Sequence, residues 1–536
     1  MINYSQFNTT DDHAFNLFNA LMYCKKNDCR GLVFDKGVYS FYEDKASEEL
    51  VNISNHDINM LKRIAFLIKG MKDFVIDGNG SKFVFYGSII PFVIKESKNI
   101  TIKNFTIDVM TSLVIDMKVT DIEDNCVYAD VLSGNYQIDN GVISFHDGYG
   151  NVNVCSALLV RAMGSEIKFL PNSCGIPVNS NEKIYFEENG ENKIKIFDID
   201  EKYAIEKGMR IGAYGSFSRS CNIFIADSED ISVENVTMYK GYAMGVIAQM
   251  TKNVNVDRVV VKAKEGEVDS LVADATHFVH CQGLVKVTNC SFSEQGDDAL
   301  NIHGIFTKIV DKTNDYILIK YMHKQAKGIN IYKKGSTIAT LDPESLIPNG
   351  TYTIKDVETV SIDYTKIYVE GSAENINVGD VVEDLTWSCD LLFENNKIAN
   401  NRGRGMLIGA KGKVVIKNNY FNSTGASILF ESDGRFWYES GATTDVVIEN
   451  NVFDNCCFAK AWGKGTIVLN PRAKVEEGKY YHKYIKICNN EFISCNGKII
   501  SADNVEKIVV KDNKIENPKA ENVVTFENCG EILSDI

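Results

Sequence analysis

The chain has 536 residues, of which 44% are hydrophobic and 24% are charged, a composition typical of a folded soluble protein. Its length exceeds what one compact core usually supports, so several domains or one elongated repeat architecture are expected. A formal net charge of −15 and a pI near 5.2 argue against a nucleic-acid partner, and no apolar run is long enough to predict a membrane span.

The N-terminal residues predict a location and a first element. They lack the basic and apolar stretches of a secretory signal, so a cytoplasmic location is expected, or a secreted one if a leader was trimmed. Asp11 and Asp12 follow Thr10, and Phe15 and Phe18 continue at helical spacing. This pattern predicts a capped amphipathic helix that closes one end of the fold.

A short phrase recurs along the chain: alternating β-branched residues, a polar Asn, and a second short apolar strand. Successive copies are often 23 residues apart, as between Asn396 and Asn419. A coil of three short strands needs about this many residues, so the repeat predicts a right-handed parallel β-helix that buries an Asn ladder. The copies are Ile100–Ile107, Ile231–Met238, Val285–Phe292, Val414–Phe421, Val446–Phe453, Tyr484–Phe492 and Ile508–Ile515.

Two stretches interrupt the repeat and contain short strands separated by turns, such as Lys193–Phe197 and Tyr316–Tyr321. Both predict small antiparallel β-barrel-like modules inserted between coils, serving either as scaffold or as walls that face a substrate. The predicted parts are the cap and first coils at 1–108, one module at 109–218, coils with the acids at 219–304, a second module at 305–386, and C-terminal coils at 387–536.

Two segments align with each other across one coil. Asp274-Ala275-Thr276-His277-Phe278 and Asp298-Ala299-Leu300-Asn301-Ile302 begin 24 residues apart. Stacking therefore predicts that Asp274 lies beside Asp298, about 4.8 Å away along the axis, with Asp297 close by. Like charges this close do not all ionise, so at least one pKa should be raised toward neutrality, as acid catalysis requires.

Further polar residues fall on the same side of the predicted helix. Arg402 and Arg404 should lie over the aspartates, where they either hold a sugar or only neutralise the acids. An aromatic ring among polar groups suits the apolar face of a pyranose. The candidate substrate-binding residues are His277, Asn301, His303, Arg402, Arg404, Glu431, Arg435 and Trp437.

The histidines raise the question of a metal. His277, His280 and His303 lie near the three aspartates, and calcium could bind the aspartates alone. Against a metal, the sequence has no H-x-H or H-E-x-x-H spacing, and histidines that hydrogen-bond a sugar would look the same. We expect no metal and no cofactor.

Three motifs in order carry a family resemblance: Ala273–Phe278, Gln295–Gly304 and Asn401–Leu407. With them the sequence resembles glycoside hydrolase family 110. The resemblance implies an exo-acting α-galactosidase that removes terminal α-1,3-linked galactose with inversion and without a metal. The proposed catalytic carboxylates of that family match Asp274, Asp297 and Asp298 here.

The resemblance leaves roles and substrate open. Inversion requires an acid and a base roughly 6.5–9.5 Å apart, which three clustered acids supply only in part. Asp297 or Asp298 is expected on the base side, with or without Asp274, and the acid is one of these or Glu431. The substrate is an oligosaccharide with terminal α-galactose, either blood-group B-type or linear Galα1-3Gal.

Two other functions fit the same residues. A β-helical lyase or polygalacturonase would use Arg402 and Arg404 to bind the carboxylates of uronic acids. A non-catalytic carbohydrate-binding β-helix would need no clustered acids. Long exposed sheet faces would also allow a homodimer.

Overall fold

The computed structural model describes residues 1–56, 58–110, 114–146, 152–164, 167–178, 184–215, 220–519 and 523–536. The chain forms a right-handed parallel β-helix with two inserted β-modules, which confirms the predicted fold class. No helix in these described ranges is long and apolar enough to cross a membrane. Short 3-10 turns lie at Tyr4–Phe7, Glu43–Lys45, Glu201–Tyr203, Lys324–Ala326 and Lys460–Trp462.

The helix α1 (His13–Lys26) caps the N-terminal end, as predicted. The carboxylate of Asp12 accepts a hydrogen bond from the Ala14 N–H at 2.9 Å, which satisfies a free donor of the first turn. Leu17 and Leu21 are buried in the same core as Phe66 of the first coils. The strands of those coils are β1 (Ile2–Asn3), β2 (Gly31–Val33), β3 (Val38–Tyr42), β4 (Ser47–Leu50), β5 (Leu61–Lys69), β6 (Lys72–Tyr86), β7 (Ile89–Lys95) and β8 (Lys98–Val109).

The first inserted module is antiparallel and has its own core, which includes Ile115, Leu158 and Ile211. The predicted boundary at 218 falls outside the described residues. The strands of the module are β9 (Val114–Glu123), β10 (Cys126–Ser133), β11 (Tyr136–Asp139), β12 (Val142–His146), β13 (Val152–Met163), β14 (Ile167–Phe169), β15 (Ile176–Pro177), β16 (Tyr185–Glu188), β17 (Lys193–Phe197) and β18 (Arg210–Gly215).

The central coils return to parallel pairing and lead into the second module. Their strands are β19 (Ile223–Ala226), β20 (Glu229–Met238), β21 (Val246–Gln249), β22 (Lys252–Val261), β23 (Thr276–Val279), β24 (Gln282–Thr288), β25 (Ser291–Ser293) and β26 (Leu300–Ile305). The second module closes into an antiparallel barrel of β27 (Thr307–Lys312), β28 (Tyr316–Lys320), β29 (Thr337–Leu341), β30 (Pro348–Thr359), β31 (Tyr364–Val369) and β32 (Val381–Asp384).

The C-terminal coils complete the β-helix. Their strands are β33 (Cys389–Glu394), β34 (Lys397–Ala399), β35 (Met406–Ile408), β36 (Lys413–Lys417), β37 (Tyr420–Asn422), β38 (Ile428–Phe430), β39 (Glu439–Ser440), β40 (Asp445–Glu449), β41 (Val452–Asp454), β42 (Gly465–Leu469), β43 (His482–Cys488), β44 (Glu491–Ile493), β45 (Lys498–Asp503), β46 (Val505–Lys511), β47 (Lys514–Glu516), β48 (Val524–Glu527) and β49 (Glu531–Ser534).

A regular coil contributes to two parallel sheets. One strand, such as β35, joins the sheet that runs from β5 through β7, β19, β21, β23 and β26 to β48, which we call the site sheet. The next two, such as β36 and β37, join the other sheet, which we call the outer sheet. Aromatic rings stack inside the coils, for example Phe421 on Phe453 with centroids 5.0 Å apart.

An Asn ladder follows the bend between the two outer-sheet strands of the C-terminal coils. Asn396 and Asn419, on which the 23-residue spacing is counted, are buried in it, and it continues through Asn451 to Asn490. The residues just before them, such as Asn418 and Asn450, have left-handed backbone and lie at the surface, because Asn tolerates positive φ. Earlier coils bury an apolar residue at the ladder position, such as Val236, so the prediction of a buried Asn at every turn is wrong for them.

The buried ladder should contribute strongly to stability. Asn451 donates from Nδ2 to the Ile416 carbonyl at 2.9 Å, and its Oδ1 accepts the Asn419 N–H at 3.0 Å. Asn451→Ala leaves both backbone groups buried without partners, so we expect a loss on the order of 2–4 kcal/mol. The loss is measured as a lower midpoint of thermal unfolding. The control is Asn450→Gly, which keeps the left-handed bend, and equal midpoints for the two variants would contradict the prediction.

Candidate active site

The register of the site sheet builds one column of polar residues. Thr276 of β23 pairs with Leu300 of β26, and Leu300 pairs with Met406 of β35. The residues two positions earlier therefore stack in the same order, so Asp274, Asp298 and Arg404 lie side by side. The spacing of 24 residues predicts that Asp274 lies beside Asp298, and the position of Arg404 over them is a separate expectation from the sequence.

Three carboxylates meet at the start of these strands. Oxygen atoms of Asp274, Asp297 and Asp298 all lie within 4.8 Å of one another. Arg404 holds Asp298 with three donors: its backbone N–H at 2.7 Å, Nε at 3.1 Å and Nη2 at 2.9 Å. Gly403 is required because a Cβ there would lie 2.6 Å from Asp298 Oδ1 and 2.7 Å from Asp297 Oδ1.

Burial changes how these acids ionise. It raises the pKa of Asp297 to about 6, and the neighbouring charge of Asp274 acts in the same direction. Burial also raises the pKa of Asp298 to about 6, although the Arg404 guanidinium opposes the shift. The pKa of Asp274 is raised well above its ordinary value by burial and by the charge of Asp298. Burial and the neighbouring charges therefore favour the protonated forms of all three carboxyls.

Two histidines continue the site behind Asp274. His277 Nδ1 lies 2.7 Å from Asp274 Oδ2, and His277 Nε2 lies 3.1 Å from His303 Nε2. His303 Nδ1 lies 2.7 Å from the Gly304 carbonyl oxygen. Burial lowers the pKa of His277 to about 3, and His303 adds to the shift, so the His277 ring is neutral.

The aspartates open into a cavity of about 860 Å³ that runs along the outer face of the site sheet. It begins at β23 and reaches β45 and β48, where Lys498, Asp503 and Glu527 line it. The predicted site residues that line it are Asp274, His277, Asp297, Asp298, Asn301, Arg404, Glu431 and Trp437.

Three predicted residues lie beside the cavity lining rather than in it. His303 is behind His277. Arg402 donates to the carbonyl oxygens of Cys174 and Gly296 and lies over the Trp462 ring, 4.6 Å from its centroid, so its contacts are structural. Arg435 is exposed and bonds the Arg472 carbonyl oxygen.

Glu439 is a further site residue, which the sequence places in the loop after Glu431 together with Arg435 and Trp437 but outside the candidate binding residues. It lines the cavity, and its Oε1 lies 3.6 Å from His303 Nε2 and 3.3 Å from Asn55 Nδ2. Burial acts to raise the pKa of Glu439, but the pKa is lowered overall by the charge of His303 and His277 when they are protonated, and by Arg404. Its strand β39 pairs antiparallel with β26, and this pairing lies outside the repeat, so no sequence period indicates it.

Trp462, Asn55 and Gln325 also line the cavity and were not predicted. They come from a C-terminal loop, the N-terminal segment and the second module. Asp433 shapes the loop that carries Trp437, because its carboxylate accepts the backbone N–H groups of Arg435, Phe436 and Trp437.

Comparisons with known proteins agree with the sequence motifs. Residues 316–382, in the second module, match the family model described as GLAA-B beta-barrel domain II. Alpha-1,3-galactosidase A of Shewanella woodyi is 29% identical over 530 residues, which cover 95% of this chain and 84% of that protein. Alpha-1,3-galactosidase B of Bacteroides thetaiotaomicron is 28% identical over 540 residues, which cover 96% of this chain and 86% of that protein.

A solved structure also aligns along the chain. The family 28 exopolygalacturonase of Yersinia enterocolitica aligns with 99% of this chain and 77% of its own, with 11% sequence identity and a TM-score of 0.45.

The buried acids should make stability depend on pH. The folded state raises the pKa of Asp297 from 3.8 to about 6, so it binds the proton more tightly than the unfolded state does. The contribution of Asp297 to stability is therefore full below about pH 4 and is lost as the pH rises through 6. We expect Asp297→Asn to raise the free energy of unfolding at pH 8 by on the order of 3 kcal/mol, seen as a higher thermal midpoint, and to lose this advantage toward pH 4.

The matched control is Asp230→Asn, which changes an exposed acid of the outer sheet. Thermal unfolding of the wild type and both variants between pH 4 and pH 8 measures the effect. Parallel pH curves for the wild type and Asp297→Asn would contradict the prediction.

Proposed function

We propose that this chain, which belongs to the α-1,3-galactosidase family, is an exo-acting glycoside hydrolase that removes terminal α-1,3-linked galactose from oligosaccharides. The matches along the chain confirm the family resemblance of the three motifs. The observation that carries the proposal is the cluster of buried Asp274 and Asp298 with partly buried Asp297, which lies at one end of a long cavity.

The acids differ in the ways that glycoside hydrolysis requires. One group must protonate the leaving oxygen, and another must activate water. The pKa values of Asp297 and Asp298 are both raised to about 6, but Asp297 suits the acid because its Oδ1 has no hydrogen-bond partner among the described residues. Asp298, which Arg404 holds, and Asp274 suit the side of the attacking water.

The spacing of these groups bears on inversion. The aspartate oxygens are closer together than the roughly 6.5–9.5 Å between the carboxyls of inverting enzymes. Glu431 and Glu439 line the same cavity and extend the acidic wall beyond the cluster. Inversion therefore rests on the family relationship, and the anomer of the first product tests it.

The N-terminal segment supports an exo mode of action. Val51 and Ile53 pack with Phe224 and Ile247, over the site-sheet strands that precede β23. The segment is anchored by Gln249, which accepts the Ser54 N–H at 3.0 Å and donates to the Asn52 carbonyl at 2.8 Å. The site sheet is thus covered up to the coil before Asp274, so a chain cannot pass the acids on that side.

The other end of the cavity leaves room for the rest of the substrate. From β23 to β48 the site sheet adds six strands, at about 4.8 Å for each step. The cavity is therefore roughly 25–30 Å long, enough for several sugars beyond the terminal one. A substrate would place its terminal galactose at the aspartates and extend past Glu431 toward Lys498.

Release of galactose tests the proposed activity. The purified protein is incubated with Galα1-3Gal and with a branched B-type trisaccharide, in the presence of a chelator. We expect free galactose from at least one substrate, and a loss of about 100-fold or more in rate for Asp297→Asn and Asp298→Asn, with Asp230→Asn unchanged. No release from either substrate would contradict the proposal, and cleavage of uronate polymers with added calcium would favour a lyase.

The form of the product tests exo action and inversion. We expect β-galactose as the first product by proton NMR, since an inverting enzyme converts the α-linkage to the β-anomer. A substrate whose terminal galactose carries a further sugar should resist cleavage, because the covered coils leave no space beyond the acids. Initial α-galactose would overturn inversion, and cleavage of the extended substrate would overturn the exo mode.

A further inference from the structure

Four groups form one hydrogen-bonded chain that leads away from the cavity: Asp274, His277, His303 and the Gly304 carbonyl. The contacts are 2.7 Å, 3.1 Å and 2.7 Å long in that order, and both histidine rings are buried. The galactosidase chemistry above uses only Asp274. The positions of the protons in this hydrogen-bonded chain therefore determine the protonation state of Asp274.

The direction of each bond follows from its last member. A carbonyl oxygen only accepts, so His303 Nδ1 carries a hydrogen that it donates to Gly304. In a neutral His303 ring Nε2 then has a lone pair, and His277 must donate to it from Nε2. A neutral His277 ring consequently has a bare Nδ1, so the 2.7 Å contact with Asp274 requires a proton on the carboxyl.

The same two protons also fit a second arrangement. If the Asp274 proton moves to His277 Nδ1 and the His277 Nε2 proton moves to His303 Nε2, each bond keeps one hydrogen and His303 becomes a cation. Glu439 Oε1, 3.6 Å from His303 Nε2, is the anion that faces this cation. Removing one proton from this hydrogen-bonded chain would instead leave the lone pairs of His277 Nε2 and His303 Nε2 facing each other.

The charges around the chain favour this pair of states. Asp274 faces Asp297, Asp298 and Arg404 on the cavity side, and the histidines face Glu439. The Arg404 charge is already paired with Asp298. Among the described residues, ionised Asp274 therefore has no cation of its own until a histidine takes up its proton.

We propose that His277 and His303 form a proton relay, which keeps Asp274 protonated at rest and moves that proton toward Glu439 when Asp274 takes a proton from the attacking water. This inference rests on the proposed hydrolase function. In the step, one O–H bond of water breaks and an O–H bond forms on Asp274 Oδ1, while the oxygen of water bonds to the anomeric carbon. The bond from that carbon to the glycosidic oxygen breaks at the same time, and the leaving oxygen takes the proton of Asp297. The Asp274 Oδ2 proton passes to His277 Nδ1, and the His277 Nε2 proton passes to His303 Nε2.

His303 is then a positioning and relay residue rather than a catalytic one, and His303→Gln separates the two roles. A Gln amide oxygen can still accept the hydrogen bond from His277 but cannot take up a proton. If the relay operates, we expect kcat to fall about 100-fold with little change in KM. The matched control is His280→Gln, which changes another buried histidine outside this hydrogen-bonded chain.

The number of moving protons gives a readout that a structural role would not change. The rate is plotted against the fraction of heavy water in mixtures with light water. The plot should curve downward for the wild type, since several protons move together, and should be linear for His303→Gln. A His303→Gln enzyme that keeps its kcat and the curved dependence would overturn the relay.

The resting state can be tested without substrate. The protein has eight histidines, so nitrogen-15 NMR of labelled protein gives a small number of ring signals. The histidine variants assign these signals to individual residues. We expect hydrogen on Nε2 of His277 and on Nδ1 of His303, with both rings neutral. Hydrogen on Nδ1 of His277 at neutral pH would overturn the inference, whereas absence of galactose release with the expected tautomers would sink only the proposed activity.

Discussion

The stacking register of three coils is the constraint on which the site depends. Parallel pairing of β23, β26 and β35 brings residues from separate coils to about 4.8 Å spacing, so their side chains meet whatever their charge. Asp274, Asp298 and Arg404 occupy one such column, and Gly403 lets the third coil pass over the carboxylates. The raised pKa values of the acids follow from this enforced closeness and from burial.

Holding the three carboxyls together in this way destabilises the folded state, and contacts elsewhere in the β-helix offset this loss of stability. Above their pKa the buried aspartates repel one another and lose their hydration, while Arg404 pairs with Asp298. The stacked rings of Phe421, Phe453 and the coil beyond them, together with the buried Asn ladder, join neighbouring coils along the same axis. The repeat thus supplies a rigid support on which an unfavourable cluster can be maintained.

Features that follow the repeat could be predicted from the sequence, and features that leave it could not. The period of about 23 residues predicts the coils, and the two aligned Asp-Ala segments predict the meeting of Asp274 and Asp298. Glu439, Asn55 and Trp462 reach the cavity from an antiparallel pairing, an N-terminal segment and a loop, none of which is periodic. The same limit explains Arg402, whose column position was predicted but whose side chain turns toward Cys174.

A structure of the Asp297→Asn variant with Galα1-3Gal bound would test most directly whether the aspartate cluster acts on a terminal galactose at the covered end of the cavity. We expect the terminal ring beside Asp274 and Asp298, with its anomeric carbon facing both carboxyls and the second sugar directed past Glu431 toward Lys498. A terminal galactose bound at the Lys498 end, or a chain that extends across the coils covered by Val51 and Ile53, would contradict that arrangement.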